Sequence, residues 1–276
     1  MSVSVKSLVL RQSANIEAVA PCDNLYLFNH RASILTTASH PERFFAPYSG
    51  ALALSLSGRP FLLETSAGRV EASIVAIAPL VRRRLCAPPG GIVLLYIQPG
   101  CRWFGYFAAL RQAGFAVLSE SPFGRLKSEL QRLYQGHGQE AEAMAVYAAG
   151  LNWLGSSGFQ RSRVDEEICH DLMALVDAAP DISLQALAER MHCPYTGMSR
   201  LFRQTVGLSL REYKQWLKHR AVFALMQSGM SLTQIAQCAG FTDSAHLSRI
   251  YRRTYGVPPS HSRKRKNVKF FLLESP

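Results

Sequence analysis

The stretch MSRLFRQTVG at residues 198–207 is nearly repeated as LSRIYRRTYG at 247–256. Ser199/Ser248, Arg200/Arg249, Arg203/Arg252, Thr205/Thr254 and Gly207/Gly256 are identical, while Leu201/Ile250 and Phe202/Tyr251 are close exchanges. This repeat constrains the fold tightly, because whatever element one copy forms the other must form as well. Read as a helix, Met198, Leu201, Phe202 and Thr205 fall on one face at i, i+3, i+4 and i+7. Thr196, Ser199, Arg200 and Arg203 fall at the same offsets on a polar face. The second copy repeats this, with Leu247, Ile250, Tyr251 and Thr254 packing and Ala245, Ser248, Arg249 and Arg252 facing out. Each copy closes on a glycine, the residue that most readily adopts the left-handed conformation ending a helix.

The repeat extends upstream. Ser183-Leu184 corresponds to Ser231-Leu232, Leu187-Ala188 to Ile235-Ala236, and Met191 to Ala239, with one residue added in the second copy between its two helices. Ser231 and Gln234 have capping-box spacing, whereas Ser183 caps without one. Each unit is therefore a short helix, a turn (His192-Cys193-Pro194, or Gly240-Phe241-Thr242-Asp243) and a second helix with an arginine-bearing outer face. That is a helix-turn-helix, whose second helix enters a major groove, and the planar fork of arginine can meet guanine O6 and N7 together. Between the units, Ser209 to Gln227 lacks Pro and Gly and carries an apolar face through Tyr213, Leu217, Ala221, Ala224 and Leu225. A helix of that length spans roughly 27 Å, comparable to the roughly 34 Å between successive major grooves on one side of B-DNA.

With these motifs, residues 164–263 resemble the DNA-binding domain of the AraC/XylS family of bacterial transcription regulators. The resemblance rests on LAERM, MSRLFRQTVGLSLREY and SLTQIAQCAGFTDSAHLSRIYRRTYGVPPS. It implies binding to double-stranded promoter DNA and activation through contact with RNA polymerase. By motif position it implies that Thr196, Ser199 and Arg200, with Ser244, His246, Ser248 and Arg249, face bases, and that Arg203, Arg252 and Arg253 contact phosphates. Three positions depart from the family pattern. Gly197 lies inside the first reading helix, at a cost of about 1 kcal/mol against alanine; Pro194 replaces a small capping residue; and Ser262-Arg263 stands where an aromatic-arginine pair is usual.

Charge agrees with a polyanion partner. The net charge is +12, and from Pro180 to Pro276 there are 15 basic against 5 acidic residues, while the preceding part has 16 against 14. Phosphate neutralisation supplies most non-specific nucleic-acid affinity. Arg263-Lys264-Arg265-Lys266 either extends that footprint or is a frayed basic tail.

The first hundred residues read as strands (NLYLFN, ALALSL, FLLET, RVEASIVAIAP, GIVLLYIQP) separated by turn signals, as in a small barrel or sandwich. After Trp103 the period becomes helical. Trp103–Ala113 reads as one helix, and Phe123, Leu126, Leu130 and Leu133 make a narrow stripe, followed by a helix over Gln139–Leu154. The stripe can pack on its own sheet or pair with its copy in a homodimer. Over residues 1–115 the position and composition resemble the cupin-like barrel with which AraC-type proteins sense a small-molecule effector. Arg82-Arg83-Arg84 reads as a solvated loop or as an attractor for an acidic effector; effector-binding residues stay unassigned.

The expected fold class is thus α+β: an N-terminal sensor and dimerisation domain over 1–156, a linker at Gly155–Gly158, an all-α DNA-binding domain over 164–266 and a tail over 267–276. No cofactor and no metal are expected, since the six cysteines and eight histidines, His30 and His40 included, show no ligand spacing. The cysteines are expected as buried free thiols. No signal sequence or membrane span is read, which gives a cytoplasmic location. The competing readings are a nucleoid protein binding DNA without sequence preference, and a methyl-accepting DNA-repair enzyme, which would need clustered cysteines.

Overall fold

The structure is a computed structural model, described here for residues 24–28, 32–38, 43–119, 123–156, 158–159, 162–226, 228–263 and 268–271. Cys22, His30, His40 and Lys264-Arg265-Lys266 lie outside these residues. The elements in order are β1 (Asn24–Phe28), β2 (Ala32–Thr37), β3 (Gly50–Ser55), β4 (Phe61–Thr65), β5 (Gly68–Ala72), β6 (Ile74–Ile77), β7 (Arg83–Cys86) and β8 (Ile92–Ile97). They continue with α1 (Phe104–Ala109), β9 (Phe115–Val117), α2 (Lys127–Tyr134), α3 (Glu140–Ser156), α4 (Arg163–Ala178), α5 (Leu184–Arg190) and α6 (Tyr195–Val206). The chain then forms α7 (Leu210–Leu225), α8 (Leu232–Cys238), α9 (Ser244–Tyr255), α10 (Pro259–Arg263) and β10 (Val268–Phe271). The class is α+β, with a sheet-rich first part and a helical last part.

Among the described residues the strands do not close into a barrel. They form a seven-stranded sheet, β10-β1-β2-β8-β3-β6-β9, and a three-stranded sheet, β5-β4-β7. The run RVEASIVAIAP is two strands, broken at Ser73, and its halves join different sheets. β3, β6 and β8 are buried on both faces, which is why they read as continuous apolar runs instead of alternating ones. Ala51, Ala53, Val75, Ile77, Ile92 and Leu94 face Phe61, Leu63 and Leu85 of the small sheet. The alternate residues, among them Leu52, Ala76, Val93 and Leu95, face the helices.

The expected long helix at 103–113 is only the six residues of α1, and the chain then turns through Gly114 into β9. The apolar stripe is used at home: Leu130 and Leu133 are buried against the sheet, and the Leu133 carbonyl accepts from the Tyr26 hydroxyl at 2.8 Å and from Asn24 Nδ2 at 3.1 Å. Helix α3 runs into the expected linker as far as Ser156, and α4 begins at Arg163.

The tail returns to the first domain. β10 pairs in parallel with β1, and Lys269 Nζ donates to the Gly136 and Gly138 carbonyls at 3.3 and 2.5 Å. The cysteines differ from expectation, since Cys86 and Cys238 are exposed. No helix among the described residues is long and apolar enough to cross a membrane.

Candidate nucleic-acid interface

The two helix-turn-helix units are built from the same local bonds. In the first, Ser183 caps α5 by accepting from Ala186 N at 3.1 Å. In the second, Ser231 and Gln234 close a full capping box on α8, at 3.2 and 2.8 Å. Both turns pass through one left-handed residue, His192 (φ 51°) and Gly240 (φ 74°). After it, Cys193 N donates to the Ala188 carbonyl at 3.0 Å and Phe241 N to the Ala236 carbonyl at 2.8 Å. These are the same helix-ending bond in equivalent places. The added residue of the second unit comes after that bond, and it lets Asp243 cap α9 by accepting from His246 N at 2.7 Å. Pro194 occupies the cap position of α6 and makes no side-chain cap.

Helices α6 and α9 present the faces that the periodicity predicts. On α6, Met198, Phe202 and Thr205 are buried, while Thr196, Ser199, Arg200 and Arg203 are exposed. On α9, Leu247, Tyr251 and Thr254 are buried; Arg249 and Arg252 are exposed and Ser244, His246 and Ser248 half-buried. The His246 ring stands edge-on to Phe241, with centroids 5.6 Å apart, which restricts the orientation of the imidazole. Both helices end on left-handed glycines, Gly207 (φ 84°) and Gly256 (φ 77°). Charge along these faces is one-sided: no ion pair holds Arg200, Arg203, Arg249 or Arg252 among the described residues.

Two basic residues have structural duties. Arg253 is exposed, but its carbonyl accepts from Ala46 N of the first domain at 3.1 Å, and its charge is felt at Tyr48 and His219. Arg263 donates to the Ser228 and Met230 carbonyls at 3.1 and 2.6 Å, fixing the loop that enters α8, so it is no part of a frayed tail. One exposed aromatic escaped the sequence reading. Tyr195, at the first position of α6 beside Thr196, is 59% exposed. Its signal is a large aromatic outside the apolar period.

Helix α7 connects the units and starts with a second capping box, Ser209 with Glu212. Its 16 residues span about 24 Å. Its inner face buries Tyr213, Trp216, Leu217, His219 and Val222. Glu212 receives both terminal nitrogens of Arg111 at 3.3 and 3.0 Å. Burial alone would raise its carboxyl, but Arg111 and the Ser209 N–H outweigh that and hold it below the usual range.

Comparison with known proteins agrees with this geometry. A family model described as a helix-turn-helix domain matches residues 187–265. The HTH-type transcriptional regulator GbdR of Pseudomonas aeruginosa is 31% identical over 99 residues, which are 34% of this chain and 26% of that protein. The HTH-type transcriptional activator RhaS of Escherichia fergusonii is 32% identical over 91 residues, 33% of each chain. The arabinose operon regulatory protein of Salmonella typhimurium is 24% identical over 187 residues, 61% of this chain and 65% of that protein. The chain thus spans 26% and 33% of the lengths of GbdR and RhaS. Among solved structures, ToxT from Vibrio cholerae O395 superposes with a TM-score of 0.51 at 13% identity, over 87% of this chain and 95% of that one, a likeness of fold.

Proposed function

We propose that this chain, a member of the AraC/XylS family through its C-terminal helix-turn-helix domain, is a sequence-specific DNA-binding transcription regulator that activates promoters. The observation that carries the reading is the equivalence of two exposed polar faces, on α6 and α9, set on identically closed turns. Thr196, Ser199 and Arg200 read bases in one major groove, and Ser244, His246, Ser248 and Arg249 read the next. Arg203 and Arg252 bind phosphates, with Arg253 a weaker phosphate contact because its backbone is engaged by Ala46. Tyr195 joins the first reading surface.

The partners of this reading are promoter DNA, RNA polymerase, a second copy of the chain, and a small-molecule effector acting through the first domain. A regulator of this kind works in the cytoplasm and has no catalytic step. The homodimer must use a surface other than the Leu130/Leu133 stripe, which the chain's own sheet covers.

The test is recovery of genomic fragments by purified protein, comparing wild type with the Arg200→Ala/Arg249→Ala double variant. Wild type enriches fragments upstream of genes that share two sequence blocks about one helical turn apart. Each alanine weakens the cognate site by about 1–3 kcal/mol and relaxes preference at one base position. Recovery of the same unselected DNA by both proteins would instead establish a packaging protein that reads no bases.

A further inference from the structure

The Arg82-Arg83-Arg84 triplet is not a solvated loop. Arg83 opens strand β7 with its side chain fully buried, where it donates to the Ala78 carbonyl at 3.3 Å and shares a side-chain hydrogen bond with Tyr96. Its backbone is bridged to Phe45 by two bonds, at 3.0 and 2.9 Å. The pleat sends its two neighbours to the other side, and there Arg82 and Arg84 share one aromatic ring. Their guanidinium carbons lie 5.2 and 5.7 Å from the ring centroid of Phe44. Phe44 is 39% exposed, so both cations are held at the surface on an apolar platform. Arg84 also pairs with Glu64, whereas Arg82 and Arg43, both exposed, have no ion pair among the described residues.

This patch is fastened beside α9. Ala46, two residues from Phe44, donates its N–H to the Arg253 carbonyl at 3.1 Å. Two residues of chain reach at most about 7 Å. Leu80 N donates to the Pro47 carbonyl at 2.7 Å, which ties the same segment to the turn that enters Arg82. On α9, Arg253 lies one turn beyond Arg249 with Arg252 beside it, and all three are exposed. The seam between the sheet domain and the second helix-turn-helix unit is thus rimmed by arginines from both sides, Arg43, Arg82 and Arg84 from one and Arg252 and Arg253 from the other. Of these only Arg84 has a carboxylate partner among the described residues. Like charges gathered on one rim repel, a cost that a polyanion removes.

We propose that this rim of the sheet domain, Arg43 and Arg82 above all, grips the sugar–phosphate backbone of the duplex beside the groove that α9 enters. The sheet domain is then part of the DNA interface. The planar fork of arginine meets two phosphate oxygens together, and the Phe44 ring holds the Arg82 guanidinium at the surface for that contact. The patch is carried by a strand end and the chain around Phe44, with no helix to enter a groove, so it adds affinity and register without sequence preference. The inference rests on the reading of α9 as a helix that enters DNA.

The test measures binding of the full chain to a recovered genomic fragment and to a random-sequence duplex of equal length, across about 0.05–0.2 M salt. Arg43→Ala/Arg82→Ala lowers the slope of log affinity against log salt by about 2 on both duplexes and weakens binding roughly tenfold to hundredfold at about 0.1 M salt. Its thermal midpoint stays at the wild-type value, since both side chains are exposed. Arg43→Lys/Arg82→Lys keeps the charges and restores most of the slope. Arg125→Ala/Lys127→Ala removes two exposed cations at the entrance to α2, on the opposite face of the large sheet, and leaves the slope unchanged. Arg252→Ala lowers the slope by about 1 and reports on α9 by itself. If Arg252→Ala acts and the Arg43/Arg82 pair does not, the inference falls and the reading of α9 stands; if neither acts, both fall. The proposal is also overturned if the α2 pair loses as much, if the lysines do not restore the slope, or if the loss appears on the recovered fragment alone.

Discussion

Acidification should weaken this protein through the buried His219. His219 of α7 is fully buried at the same seam, and neither ring nitrogen has a hydrogen-bond partner. Its ring lies 5.3 Å from Tyr48 of the first domain, 5.4 Å from Tyr255 and 6.1 Å from Phe241. Burial, with the nearby Arg253 charge adding to it, pushes the imidazole down from 6.5 to about 3. The folded state thus refuses a proton that the unfolded chain accepts below its ordinary value. Stability is fully present above that ordinary value and is lost progressively as pH falls towards about 3. From about pH 7 to about pH 5 the loss is about 2 kcal/mol, since each pH unit in the window is worth about 1.4 kcal/mol. That corresponds to a fall of roughly 4–8 °C in midpoint. The charged and titratable groups facing His219 are Arg253, Tyr48 and Tyr255, and burial holds both tyrosine hydroxyls above their usual range.

The assay is thermal unfolding of wild type and His219→Phe at both pH values. The variant keeps a ring in the aromatic cluster, and any overpacking cost is the same at either pH, so it cancels in the double difference. Wild type should lose about 2 kcal/mol more than the variant on acidification. Equal pH responses would refute the reasoning, because they would mean that His219 is either solvated or bonded when folded.

Two helix positions give simpler tests by thermal unfolding. Gly197 has no positive φ and open space where a side chain would go, so Gly197→Ala should stabilise the protein by about 1 kcal/mol through helix propensity. Gly207→Ala should destabilise by more than about 1 kcal/mol. There φ is 84°, and an added carbon would lie 2.8 Å from Ala108 Cβ and 2.9 Å from Phe104 Cε1.

How far the fold can be read from the sequence depends on whether local or distant partners decide each element. The helix-turn-helix units were legible because their signals are local: periodic apolar residues, serine caps and closing glycines. The Ser209–Glu212 capping box adds a local serine-x-x-glutamate start signal to the apolar face and lack of breakers that mark α7. Strand β7 was hidden because Arg83 and Arg84 look like a solvated pair. Only the pairing of β7 with β4, which sets Arg84 opposite Glu64 and turns Arg83 inward, makes it a strand. The break at Ser73 was invisible for a similar reason: no glycine or proline marks it, and the two halves separate because different sheets bury them. The buried and exposed faces of α6 and α9 follow the expected period, but the structural duties of Arg253 and Arg263 were not anticipated, since both depend on contacts distant in sequence.

The two units are alike in their internal bonds and unlike in attachment. The first shares one continuous core with the sheet domain: Met198, Phe202 and Tyr213 pack in the same cluster as Phe104, Phe107 and Leu95. Gly207 must therefore be small as well as left-handed, because α1 presses on it. The second unit has a core of its own, built from Val222, Ile235, Leu247 and Tyr251. It meets the first domain through polar and aromatic contacts, namely Ala46 on Arg253 and Tyr48 on His219. A continuous apolar core resists separation, since parting it exposes buried area at about 25 cal/mol per Å². A seam of a backbone bond from Ala46 to Arg253 and ring contacts at His219 opposes separation much less. Parting of the helical units from the sheet domain is therefore opposed less at α9 than at α6.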